Sequence, residues 1–135
     1  MMAEFILDAQ IEFSAAREAL AELMQVPVRS VRMVDIHDSV RHPPNQPPRV
    51  LAEVVQIGGA YPVMLKISAS PDIREVTELD LARGLCRALH ASALVSDGSM
   101  DPYTMLLVDR RGDVVRVGLD SDVLDQDGRY RVASE

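Results

Sequence analysis

A chain of 135 residues with 47% hydrophobic and 26% charged side chains can bury a core and is too apolar for a disordered tail, so a single domain over residues 1–135 is expected. A net charge of −7 and a pI near 4.9 repel phosphate backbones and favour a basic partner. Apolar runs of a few residues exclude a membrane-spanning helix, and Met1-Met2-Ala3-Glu4 lacks the basic start of a secretory signal, so the reading is cytoplasmic.

In chain order, Phe5, Leu7, Ala9, Ile11 and Phe13 alternate with Glu4, Asp8, Gln10 and Glu12, which predicts a half-buried strand. Ser14 is expected to cap a helix with Ala16, Leu20, Leu23 and Met24 toward the core, stopped by Pro27. Val28 to Asp38 reads as extended, with Val31 and Met33 opposed to Arg32 and Val34. Residues 39–49 hold Pro43, Pro44, Pro47 and Pro48, which fix φ and remove donors, so a Pro-rich loop with polyproline II character is expected there.

The runs Leu51 to Ile57 and Tyr61 to Ile67 flank Gly58-Gly59-Ala60 and predict a hairpin with a type II′ turn at Gly59-Ala60. That register sets Val54 opposite Leu65 and Ala52 opposite Ile67 on an apolar face meant for the helices. Glu53 and Lys66, Val55 and Met64, and Ile57 and Pro62 pair on the other. Val55, Ile57 and Met64 then form an apolar row on the outer face, a candidate oligomer interface. Pro62 lacks a donor on the side away from its partner, which suggests an edge or a bulge there.

Thr77 is placed to cap a second helix whose Leu79, Ala82, Leu85, Cys86 and Leu89 share a buried side, with Glu78 and Asp80 in the first turn and Arg87 in the last. Gly84 inside it costs about 1 kcal/mol relative to Ala and points to a close approach by another element. Ala93 to Val95 forms a short buried strand. Tyr103 to Val108 is apolar on both faces and belongs inside a sheet. Asp109 to Asp113 turns a hairpin with Gly112 in a left-handed position, Val115, Val117 and Leu119 line the returning strand, and Tyr130 to Val132 adds a last short one. The whole order predicts an α+β fold: a mixed or mainly antiparallel sheet of five to seven strands with two helices in a single layer on one face.

The chemical motifs favour no reaction. Cys86, the only cysteine, can form no internal disulfide and sits on an apolar helix face, where a thiol is inert; His90 fits a helix-dipole partner. Asp35, His37, Asp38 and His42 do not share one strand face, and Asp120 to Gly128 departs from a calcium loop at Leu124 and Asp125, so no metal and no cofactor is expected. Arg29, Arg32, Arg41 and Arg49 come nearest to a basic stripe, but Asp35 and Asp38 interrupt it without an aromatic platform, and nucleic acid is not the expected partner. Arg111-Gly112-Asp113 reads as a turn, and Pro44 to Arg49, in the order P-x-x-P-x-Arg, as a stiff connection.

No family motif lends residues, though the run from Asp97 through Pro102-Tyr103 to Asp120 is similar in character to small bacterial proteins of the toxin-immunity kind. Thirteen arginines against the single Lys66 match the codon usage of a GC-rich bacterial genome. The expectation is a non-enzymatic bacterial protein-binding module, of immunity or adaptor type, that masks a basic surface of a partner such as a toxin. Its partner-binding candidates are Asp97 and Asp101 together with the unbroken acidic block Asp120, Asp122, Asp125 and Asp127. Two alternatives stand beside it: a small ligand-binding domain or enzyme with a pocket between sheet and Pro-rich loop, and a structural homodimer.

Overall fold

The computed structural model describes residues 1–36 and 48–133, and builds one seven-stranded sheet with three helices. The strands are β1 (Met2–Leu7), β2 (Val31–Asp35), β3 (Val50–Gln56), β4 (Val63–Ala69), β5 (Ala93–Ser96), β6 (Thr104–Val108) and β7 (Val114–Gly118), in the spatial order β2-β3-β4-β1-β5-β6-β7. Only β2 and β3 pair in parallel, so the sheet is mixed and the fold is α+β as expected. The helices are α1 (Phe13–Met24), α2 (Glu78–Leu89) and α3 (Ser121–Asp127). None among the described residues is long and apolar enough to cross a membrane.

The topology explains where α1 and α2 lie. The first links β1 to β2, which run the same way, and the second links β4 to β5, which also run the same way but opposite to β1. The two crossovers travel in opposite directions across the sheet from antiparallel starting strands. The strong preference for right-handed crossovers therefore puts both helices on one face. There Ala3, Phe5 and Leu7 of β1 meet Leu20 and Met24 of α1 and Leu81, Leu85 and Cys86 of α2 in the main core.

The other face is covered as well. Ile6 of β1 and Leu94 of β5 are buried with Leu119, and Met64, Leu107, Leu124 of α3 and Tyr130 pack against them. This is the main departure from the sequence reading, which expected two helices in one layer. The third helix comes from the acidic block: Asp120 accepts hydrogen bonds from the amides of Asp122 (3.1 Å) and Val123 (3.2 Å), and Gly128 closes the helix at φ +64.

Other differences are local. The first strand stops at Leu7 and the chain bends, so Ala9, Ile11 and Phe13 do not continue its face, and Phe13 opens α1. Glu12, not Ser14, is the N-cap residue of α1, and it makes no side-chain cap. In α2 the cap is as read, with Thr77 Oγ1 accepting from the Asp80 amide at 3.1 Å. Leu81 joins the buried stripe, while Leu79 and Leu89 are half-buried at its rim. The β3–β4 register is the expected one, pairing Val54 with Leu65, Glu53 with Lys66 and Val55 with Met64. Its loop is wider than a type II′ turn, because Gly58 and Gly59 both have positive φ and the amides of Ile57 and Gly58 share the Pro62 carbonyl. The strand of Pro62 is internal, but its ladder with β1 begins at Val63, leaving the proline one residue outside. Of the Pro-rich loop 39–49, only Pro48 and Arg49 are among the described residues; His37, Asp38, His42 and the Pro44 to Pro47 segment lie outside them.

The close approach expected at Gly84 is made by α1. A Cβ there would lie 2.4 Å from Leu23 Cδ2 and 2.9 Å from its Cδ1. Gly84→Ala therefore lowers the melting temperature, because Leu23 must leave its place against the core. In a Leu23→Ala background the same change raises it, since only the helix-propensity gain of about 1 kcal/mol remains. Equal shifts in the two backgrounds would show that Leu23 is not the neighbour that matters.

Candidate functional site

The six acidic candidates gather where β5, β6, β7 and α3 meet, but they do not play one role. Asp97 directly follows β5, and its carboxylate is spent internally. Its Oδ2 accepts from Thr104 Oγ1 at 2.7 Å and faces Arg116 Nε at 3.2 Å, while Oδ1 accepts from the Ser99 amide at 2.9 Å. The side chain is only 6% exposed. The Thr104 hydroxyl above all, then Ser99 and the Arg116 guanidinium, hold its pKa down to about 2 against the opposing effect of burial. Asp97 organises the loop and is not available to a partner. Asp120 is likewise occupied as the cap of α3.

Asp101, Asp122 and Asp125 are exposed and surround Tyr103. The Tyr103 amide donates to Asp101 Oδ1 at 2.9 Å, and its hydroxyl donates to Asp125 Oδ2 at 2.7 Å, joining the β5–β6 loop to α3. The bond to Asp125 and the charges of Asp125, Asp101 and Asp122 push the Tyr103 phenol up. None of the three carboxylates is ion-paired among the described residues. Asp127 is exposed in the last turn of α3, where no basic residue accompanies it and the helix dipole disfavours an acid.

Sequence reasoning missed Tyr103 as the hub. The link from Tyr103 to Asp125 spans 22 positions and exists only because α3 folds back over the outer face. A usable signal was the capping position of Asp120 ahead of the apolar pair Val123-Leu124.

The other predicted row is divided. Ile57 and Met64 pack into the outer core under the C-terminal segment, whereas Val55, half-buried beside Met64, lies outside that cluster. Cys86 is buried with its Sγ 3.8 Å from the Val108 carbonyl, and burial, followed by the charges of Asp8 and Asp109, pushes the thiol up to about 12, so it stays protonated. His90 is exposed at the left-handed C-cap of α2. The Arg111-Gly112 turn is gripped by α2, whose Arg83 and Arg87 donate to the carbonyls of Gly112 (2.8 Å) and Arg111 (2.9 Å).

A cavity of about 680 Å³ lies at the other edge of the sheet, where Arg17, Arg29, Arg32 and Arg49 line it together with Phe13 and Ser14. Pro48 brings the end of the Pro-rich loop to its wall. Three arginines of the interrupted stripe thus meet one from α1. No family model, curated protein or solved structure matches this chain.

Asp97 carries a pH dependence with a definite sign. Its folded pKa, about 2, lies below the ordinary aspartate value near 3.9, so its stabilisation is complete above about pH 4 and is lost as pH falls toward 2. Asp97→Asn lowers the melting temperature at pH 7 and flattens its decline between pH 4 and 2. A variant with the same acid limb as the parent would locate the acid sensitivity elsewhere.

Proposed function

We propose that the protein is a non-enzymatic binding module whose acidic end, built on Tyr103, covers a basic surface of a protein partner. The observation that supports this reading is the set of carboxylates Asp101, Asp122 and Asp125 around one tyrosine, none of them ion-paired among the described residues, in a chain of net charge −7. Two of the three are fixed by hydrogen bonds to Tyr103, so less side-chain freedom is lost on docking. Tyrosine supplies a large, rigid contact with a polar tip, a residue type enriched among the anchors of interfaces. A cationic partner would relieve the mutual repulsion of the acids, and the same field would speed its approach. The most concrete form is a bacterial immunity-type or adaptor protein acting in the cytoplasm, with a basic site on a toxin as the surface it masks.

Asp122→Lys combined with Asp127→Lys tests this without touching an internal hydrogen bond, and Lys at 127 suits the end of α3. Affinity capture from the native host is expected to return a basic protein whose complex weakens as salt rises. The double variant should bind it at least about tenfold more weakly, roughly 1.4 kcal/mol. A partner held equally at high salt, or equally by the variant, would remove the acidic end from the interaction.

A further inference from the structure

The arginine-lined cavity between β2, the start of α1 and Pro48 is not used by the acidic-face reading, and its charge is opposite to that of the molecule as a whole. Four of the thirteen arginines line it, and among the described residues no Asp or Glu does. We propose that this cavity binds a small phosphorylated anion of about nucleotide size.

Two of the guanidiniums are held in position. Arg17 donates through Nε to the Val31 carbonyl at 2.9 Å and through Nη2 to the Val28 carbonyl at 3.1 Å. Arg49 donates through Nη2 to Asp72 at 3.1 Å, an exposed pair that leaves the rest of its fork without a carboxylate partner among the described residues. Arg29 is exposed and makes no hydrogen bond or ion pair among the described residues. The guanidiniums of Arg17, Arg29 and Arg49 around one cavity repel one another, and a multiply charged anion offsets that repulsion while matching the bidentate geometry of the fork. The first turn of α1 opens onto the same space through Phe13 and Ser14 and has no side-chain cap on its amides, with the Glu12 carboxylate at the N-cap position accepting from Ser14 Oγ. Phe13, 37% exposed, adds an apolar surface for the organic part of a ligand. The volume lies within the range of small-molecule sites, roughly 300 to 1,000 Å³. A polynucleotide would in addition have to lie along the acidic remainder of the surface, so the field favours a compact anion.

The probes are ATP and inorganic pyrophosphate, titrated into the full chain and followed by amide chemical shifts. Saturable shifts centred on Phe13, Ser14 and Arg29 are expected with both. Arg29→Glu should weaken both probes about tenfold or more with an unchanged melting temperature, and Arg49→Gln should weaken them less. Absence of saturation at millimolar probe, shifts scattered over the surface, or full affinity in Arg29→Glu would overturn the proposal. So would a single-stranded oligonucleotide that binds more tightly than ATP at the same site with a steep salt dependence, which would assign the arginines to a polynucleotide.

Discussion

The architecture depends on one strand that is buried on both faces over its second half. The chain's first element, β1, sits at the middle of the sheet, with Phe5 and Leu7 buried against the two long helices and Ile6 buried on the opposite side. Its neighbours arrive late: β4 begins 56 residues after Leu7, at Val63, and β5 later still, at Ala93. The central ladder therefore consists of long-range pairs, and closing those loops must precede the reward of burial. The β3–β4 and β6–β7 hairpins are the local units able to form first, with β1 docking between the β4 and β5 sides.

What was legible in the sequence follows the same division between local and distant causes. The Thr77 cap, the apolar stripe of α2 and the β3–β4 register are all set within about twenty residues, and each was readable from spacing, whereas at Gly84 only the need for a close approach was readable and its partner, Leu23, lies far away in the chain. The continuation of the first strand past Leu7 was misread because Ala9, Ile11 and Phe13 keep the alternation, although the chain bends at Asp8. Nothing nearby says that Ile11 will pack against the main core from a loop. Likewise α3 is too short to be stable from propensity, and it exists through Asp120 and the packing of Leu124 on a sheet face whose apolar members come from β1, β4, β5 and β6. A dense run of aspartates suggests solvated loop to any composition-based reading, and only the tertiary contact overrides it.

The acidic candidates show why charge in a sequence cannot be taken directly as a surface. Of six aspartates read as partner contacts, Asp97 and Asp120 have carboxylates committed to backbone and side-chain donors of their own chain. Those two build the platform on which Asp101, Asp122 and Asp125 are displayed. The same lesson holds with the sign reversed at β2, where Arg29, Arg32 and Arg49 look interrupted in the sequence and converge once β3 lies parallel beside β2.

Net charge is then an average over two unlike regions. Tyr103 and the carboxylates bonded to it stand at the start of β6, five strand spacings from the arginines at β2, roughly 24 Å at about 4.8 Å per strand, whereas the chain just past α3 reaches back to the β3–β4 loop, with Arg129 against Gly58 and Gly59. The Debye length at physiological salt is about 8 Å, so across solvent each region is nearly invisible to the other. The two proposed ligands, opposite in charge, would therefore not compete for the domain. Any coupling between them must pass through the sheet itself, where β4, β1, β5 and β6 each contribute side chains to the cores on both faces and are close-packed on that path. The two ends should for that reason behave additively, the acidic one unaffected by occupancy of the basic one.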